Sequence, residues 1–557
     1  MKKIVAFVLA VFTFLGSYFS EMAVKINDIF NNYTFEIDAS EAGEPLGNIS
    51  SNLTVWSIEG NPFAQPEVPE ENNIFDFVEY VELMQCTGGS PQRDLLADPL
   101  DRSVTDDYDF SRLITNCRGI LSLGAKPYLK LGSVPVKYSR AASTDTEFGT
   151  NVYPPDDWDV YYEYMAACAR ALVEAFGKEE LLTWRFAVMT EFENEAWFKA
   201  ESGDPEESFE AYCKLYDYTV QALIDEIGED VFVGAHAMAV TEGLWDERDF
   251  IRHCAQGTNY KTGETGSRLN LITASFYDNE PGKFTKGFTP AETIAHLRKA
   301  AEKYGFNDLV YGFDEGRILC GKTAGKDSDS LSARITGYTY QAAYDARMAK
   351  ILFDNDIAYF SAWSYLSDGM MSGIPTVSYY VAKFASMFKG AVPVSTEKVK
   401  RGLQPRTEVE AFTAFDSESS TLRIMAYNFK NKIDYRKTAD LKFRIGVPQF
   451  DGKEVRVTAY VIDDDCNYFD EWVEDREKYG IDNSCFAWSP DDPTIGSPIT
   501  LADEHAREIY FNELHAKYEE CAKLEPAVTT AAVKDGTLEL DITLNPNAVV
   551  FYEITPV

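Results

Sequence analysis

The chain has 557 residues and a formal net charge of −38, with 45% hydrophobic and 14% aromatic residues. That apolar content excludes a disordered protein, and the length allows two or three domains. So large a negative charge repels phosphate backbones, which argues against nucleic acid as a partner and disfavours polyanionic glycans unless a local basic pocket intervenes.

Lys2 and Lys3 precede an apolar run from Ile4 to Leu15. This is the layout of a secretory signal, and it is short for a membrane span of about 20 residues. Residues 1–20 are expected to be a signal peptide or an uncleaved anchor, which predicts a secreted or cell-surface protein with no other membrane contact. Residues 21–50 are expected to carry a strand, Tyr33–Ile37, that returns to pair with a C-terminal domain. Nine cysteines are scattered without a C-x-x-C pair. Cys117, Cys168, Cys213 and Cys254 fall on helical segments as small apolar groups, and Cys466 to Cys485 is the one bridge left open. The five histidines lack metal-ligand spacing, so neither a catalytic metal nor another cofactor is expected. The sequence carries no signal of oligomeric state.

From residue 51 short apolar runs alternate with amphipathic stretches. The runs are Thr54–Trp56, Tyr80–Cys86, Pro127–Leu131, Leu182–Met189, Val231–Gly234, Leu271–Ser275, Leu309–Phe313 and Ile357–Trp363. Between them, Val160, Tyr164, Ala167, Cys168, Ala171, Leu172 and Ala175 keep helical spacing, Thr289-Pro290 opens another helix, and Ile335–Phe353 makes a long one. Eight strand–helix alternations predict an α/β fold, a (β/α)8 TIM barrel over residues 51–390. No glycine-rich phosphate loop follows any run, which argues against a nucleotide enzyme. Beyond Gly390 the pattern becomes short alternating strands: Ala411–Phe415, Leu422–Asn428, Leu441–Ile445, Val455–Ile462, Leu538–Leu544 and Val549–Ile554. Residues 391–557 are therefore expected to form a β-sandwich domain, with a helical insertion near Glu504–Leu524.

Barrel enzymes keep their chemistry at the carboxyl ends of the strands. Two acidic groups lie there. After the fourth run come Glu191, Glu193, Asn194 and Glu195, followed by Trp197 and Phe198. After the seventh come Asp314 and Glu315, then Gly316. Strands four and seven face each other across a barrel mouth, and paired carboxyl groups are what cleavage of a glycosidic bond requires. Neighbours alternate along a strand, so only one of Asp314 and Glu315 is expected to face the mouth.

These features resemble glycoside hydrolase family 39, the group containing β-xylosidases and α-L-iduronidases. The resemblance runs through Asp109-Phe110 to Lys126-Pro127-Tyr128-Leu129 and Val134-Pro135, Trp184–Phe198, Leu271–Tyr277, Tyr311–Glu315, Phe360–Asp368 and, in the sandwich, Ile462-Asp463 to Asn467 and Trp472. It implies a retaining glycosidase on a barrel with an attached sandwich, acting on a carbohydrate. The family's fourth strand reads W-x-F-E-x-W-N-E-P, and its second glutamate is the acid/base. Aligned from Trp184, that glutamate falls on Glu191 and the preceding Asn on Thr190. Matching the Asn-Glu dipeptide instead selects Glu195 and breaks both aromatic anchors, so Glu191 is preferred. The resemblance makes Glu315 the nucleophile, held by Tyr277, and Trp363 a stacking floor for the sugar. Asn194 or Glu193 then supplies the polar contact of the missing Asn. Ser275-Phe276-Tyr277 stands where the family has His-x-Tyr, and Cys86–Ser90 lacks the usual basic and histidine residues. The expected activity is exo-cleavage of neutral glycans of the xylosidase, arabinosidase or galactosidase kind. An endo-glycanase of the same clan and a carbohydrate-binding pseudoenzyme are the alternatives.

Overall fold

The computed structural model describes residues 31–40, 43–66, 68–240, 243–278, 288–318, 339–361, 373–403, 407–431, 435–485 and 501–557. The first strand, β1 (Asn32–Asp38), precedes the barrel. Seven strands follow: β2 (Asn52–Ser57), β3 (Tyr80–Gln85), β4 (Lys126–Leu131), β5 (Arg185–Thr190), β6 (Val233–Met238), β7 (Leu271–Asp278) and β8 (Val310–Ile318). They hydrogen-bond in sequence order, every pair parallel. The expected eighth run completes the ring. Phe360 bridges Phe313 in parallel, and its N–H reaches the carbonyl of Ile49, just before β2. The chain thus folds as a (β/α)8 barrel followed by a C-terminal β-sandwich. Trp363 lies outside the described residues.

The helices between the strands start where the sequence provides caps. Asp157 caps Trp158–Phe176, and Asp204 caps Pro205–Glu226. Thr289 and Glu292 form a reciprocal capping box at Pro290–Lys303. Thr289→Ala should cost about 1 kcal/mol. A urea titration checks it, and an unchanged midpoint would mean that water replaces the cap. Cys117, Cys168, Cys213 and Cys254 are all buried on these outer helices. Strand β6 runs to Met238, four residues past its expected end, and carries His236 into the barrel. Among the described residues no helix is long and apolar enough to cross a membrane.

The sandwich adds β9 (Val392–Pro393), β10 (Ser395–Lys400), β11 (Glu408–Asp416), β12 (Thr421–Phe429), β13 (Ala439–Gly446), β14 (Glu454–Ile462), β15 (Ala527–Ala532), β16 (Thr537–Leu544) and β17 (Val549–Pro556). One sheet has the order β10-β1-β13-β16 and the other β15-β14-β17-β12-β11-β9. Strand β1 is antiparallel to β10 and parallel to β13, with Phe35 stacked on Phe443 at 5.5 Å. Apolar packing continues from sandwich to barrel. Phe384 stacks on Phe551 at 4.5 Å and Phe353 on Phe412 at 4.5 Å. The insertion folds as helices Phe469–Tyr479, Glu504–Ile509 and His515–Cys521 around Trp472, Tyr510 and Tyr518. Cys466 and Cys485 are free thiols, so the bridge left open between them is not made. Cys466 is instead buried beneath the turn at Asp463, whose carbonyl accepts its S–H.

Candidate active site

Side chains that point into the barrel stack in layers. The middle layer is polar. Glu82 on β3, His236 on β6 and Asp314 on β8 are fully buried and mutually close, with His236 bonded to Glu82 and 3.6 Å from Asp314. Tyr128 and Tyr359 donate to Asp314 at 2.8 and 2.7 Å, and Thr273 donates as well. Burial raises Glu82, raises Asp314 to about 6 and lowers His236 to about 4, so near pH 7 Glu82 keeps its proton, His236 is neutral and Asp314 carries the charge of this layer. Its three ligand-type side chains are of the kind that could hold a metal ion, with their ligand atoms within 4.8 Å of one another. The hydroxyl bonds already made by Asp314 occupy both of its oxygens.

The layer above holds the expected pair. Glu315 accepts from the Thr190 hydroxyl at 3.0 Å, from Ser275 at 3.5 Å and from Tyr277 at 3.4 Å. Glu191 is held by Ser275, by Trp197 and by Asn194, whose amide lies 3.4 Å from its Oε2. Ser275 therefore stands between the two carboxyl groups. Burial first, and then the charge of Glu315, raise Glu191 above the ordinary carboxylate range, while those three hydrogen bonds pull it down. Asp314 and Glu315 both lie inside the barrel, one a layer below the other. The β7–β8 register shifts between Ala274 and Ser275, which inserts Asp314 as an extra residue and turns its neighbour the same way.

The backbone here is unusual. Met189, Glu191, Ala237 and Val240 have φ of +56, +37, +44 and +49°, all left-handed without being glycine. Each costs about 1–2 kcal/mol, so the ends of β5 and β6 carry stored strain at the point where Glu191 is presented. An aromatic wall stands beside it. Trp197 stacks on Phe148 at 4.3 Å and meets Trp56 at 5.8 Å, with Tyr277 packed against the same group.

A sequence model described as glycosyl hydrolases family 39 matches residues 101–388, more than half of the chain. The chain belongs to this family. It is 21% identical over 432 residues to a β-xylosidase of Caldicellulosiruptor saccharolyticus, covering 77% of this chain and 80% of that one. A β-xylosidase of Geobacillus stearothermophilus is 26% identical over 157 residues, 28% of this chain and 30% of that one. Among solved structures, a monomeric β-xylosidase from Caulobacter crescentus superposes with a TM-score of 0.62 at 18% identity, over 94% of this chain and 99% of that one. A bacterial orthologue of human α-L-iduronidase gives 0.59 at 14% identity, over 95% and 84%. These likenesses describe the fold.

As a family 39 glycosidase the chain departs from pattern at Thr190, which stands beside the candidate pair. Thr190 is fully buried and donates directly to Glu315. Asn194 instead donates to Glu191. Glu195 is 62% exposed and pairs with Lys199. Glu193 is fully buried and turned away from the mouth. Its carboxylate accepts from the Val240 N–H at 3.0 Å, and the loop beyond β6 closes over it at Gly243, where a Cβ would lie 2.4 Å from its Cγ. Burial raises Glu193 to about 8, so it is neutral in the fold near pH 7 and ionised in the unfolded chain. A folded state that binds the proton more tightly is most stable below the unfolded value of 4.5 and loses that contribution as pH rises toward 8. Glu193→Gln should flatten this decline. Unfolding midpoints at pH 5 and pH 8 read it, and a variant that declines as steeply as the parent contradicts it.

Proposed function

We propose that the chain is a retaining exo-glycosidase acting on neutral glycans, with β-xylosides the first substrate class to try and α-arabinosides and β-galactosides next. The observation that carries the two-carboxylate reading is Ser275, hydrogen-bonded to Glu315 on one side and Glu191 on the other. Two glutamates on facing strands with opposite protonation are what double displacement requires. Glu315, oriented by Thr190, Ser275 and Tyr277, attacks the anomeric carbon while Glu191 protonates the departing oxygen. Glu191, now ionised, then takes a proton from water, which releases the sugar from Glu315. Trp56 and Phe148, partly exposed and backed by the buried Trp197, offer aromatic surface for a sugar to lie against. Exo action on xylosides is supported by the relatives named β-xylosidase. A neutral substrate accords with the charge of −38.

A panel of nitrophenyl glycosides tests the substrate, and proton NMR of the first-formed sugar tests the stereochemistry. Retention of anomeric configuration is expected. Inversion, or no turnover on any member of the panel, overturns the reading. Internal cleavage of long chains in preference to release of single sugars would favour the endo-acting alternative. We also place the protein outside the cytoplasm, on Lys2, Lys3 and the apolar run that follows. N-terminal sequencing of exported protein checks this.

A further inference from the structure

Glu193 stands two residues beyond Glu191, in the turn that follows β5. The Asn194 N–H closes this turn on the Glu191 carbonyl at 2.7 Å. Three consecutive side chains leave it in different directions. Glu191 faces Ser275, Asn194 and Trp197. Phe192 lies flat on Tyr212 with ring centres 3.9 Å apart, and meets Trp245 and Phe250 at 5.8 and 5.3 Å. Glu193 is fully buried. Three hydrogen bonds tie the turn to β6 and the chain just beyond it. The Glu191 N–H donates to the Ala237 carbonyl at 3.1 Å, the Val240 N–H to the Glu193 carboxyl at 3.0 Å and the Leu244 N–H to the Glu193 carbonyl at 2.6 Å. Gly243 lies so close that a Cβ there would meet Glu193 Cγ at 2.4 Å and the Trp245 carbonyl oxygen at 2.8 Å.

Left-handed residues sit at both ends of these ties, Glu191 on one side and Ala237 and Val240 on the other. Strained backbone persists only where its surroundings hold it. The stacked Phe192 ring resists separation of the turn from the helices behind it, but apolar contact is not directional. The hydrogen bond from Val240 is directional, and it belongs to a side chain two residues from Glu191. Burying a carboxyl to make that bond costs stability, which an apolar residue filling the same space would not.

We propose that Glu193 is a positioning residue that locks the turn after β5 against the end of β6 and so aims the Glu191 carboxyl at the departing oxygen. The proposal rests on Glu191 being the acid/base. Sealed beneath Gly243, Glu193 acts on the sugar only through Glu191. Without its bond to Val240 the turn relaxes, and Glu191 delivers its proton from the wrong place.

The test is the dependence of rate on leaving group, which distinguishes a misplaced acid from a damaged fold. It reads kcat/KM, which covers the steps up to departure of the leaving group. Glu193→Met removes the acceptor and keeps the bulk. Its kcat/KM should fall about 10- to 100-fold on phenyl glycosides, whose leaving group needs the proton, and less than about threefold on dinitrophenyl glycosides, whose leaving group does not. Glu193→Gln keeps an acceptor oxygen for the Val240 N–H and should restore the parental dependence. Gly243→Ala crowds Glu193 without changing it and should reproduce the behaviour of Glu193→Met. Equal losses on both substrates in Glu193→Met, or a Gln variant as impaired as the Met one, overturn the proposal. Should Glu193→Met not fold, Gly243→Ala carries the test, and a uniform loss or no loss there is the refutation. Glu191→Gln, assayed alongside, separates the two readings. If it shows the steep dependence and Glu193→Met does not, the positioning role alone falls. If Glu191→Gln shows none, the acid/base assignment falls and the role of Glu193 with it.

Discussion

Glu315→Gln should leave a folded protein with turnover reduced by at least four orders of magnitude, roughly the upper range for loss of an essential group in acid–base or covalent catalysis. The amide keeps the shape and can still meet Thr190, Ser275 and Tyr277, so the fold is expected to hold. What is lost is the negative charge that, in the proposed role, makes the Glu315 oxygen a nucleophile. Glu191→Gln should cost about 10²–10⁴, and the cost should depend on the leaving group. A good leaving group such as dinitrophenolate departs with little protonation, so the glycosyl-enzyme forms and then persists for want of a base. Added azide should release it as a glycosyl azide of retained configuration. The same experiments decide between Glu191 and Glu195. Glu195, 62% exposed beside Lys199, should tolerate Gln with near-parental rates. Full activity in Glu191→Gln together with loss in Glu195→Gln would reverse the assignment.

The second large effect is on stability. Asp314→Ala should cost about 3–5 kcal/mol, a third or more of the total for most domains. The substitution strands the Tyr128, Tyr359 and Thr273 hydroxyls in the middle of the barrel and opens a cavity around them. These donors come from β4, the eighth run and β7, so one carboxyl group ties three walls of the barrel to β8. Asp314→Asn keeps an acceptor oxygen and should fall between the parent and the Ala variant. Urea unfolding followed by circular dichroism checks the series. A loss under about 1 kcal/mol for Asp314→Ala would mean that water fills the cavity and satisfies the tyrosines.

Much of this architecture was legible because the residues that build it follow simple periods. The alternation of Trp184, Phe186 and Val188 announced β5, and the carboxylates after it marked the carboxyl end of a barrel strand. The sandwich strands carried the same alternation. Side-chain direction beyond the strand ends was less readable. Whether Glu191, Glu193 or Glu195 enters the mouth depends on left-handed backbone at Met189 and Glu191, at residues whose type does not advertise it. Glu193, one of the two residues expected to supply the polar contact of the missing Asn, lies sealed beneath Gly243. Asp314 and Glu315 share the barrel interior because Asp314 is an extra residue in β8 against consecutive Ala274 and Ser275 of the neighbouring β7, an irregularity that residue type does not announce. His236 and Glu82 were passed over for a related reason. A polar residue within an apolar run reads as an interruption until its partner from a distant strand is known.

Strand β1 pairs with β13, and the Glu36–Arg444 contact spans 408 positions of sequence. A ribosome finishes the whole barrel before it makes the strand on which β1 depends. In the meantime β1 is an unpaired β-edge attached to a nearly complete enzyme, able to pair with another chain's sheet. The sandwich thus becomes whole only after the barrel. Its assembly draws a strand from before the barrel together with strands from after it. Conditions that delay the C-terminal strands should leave a barrel with a sticky leader, and aggregation of this protein is expected to begin there.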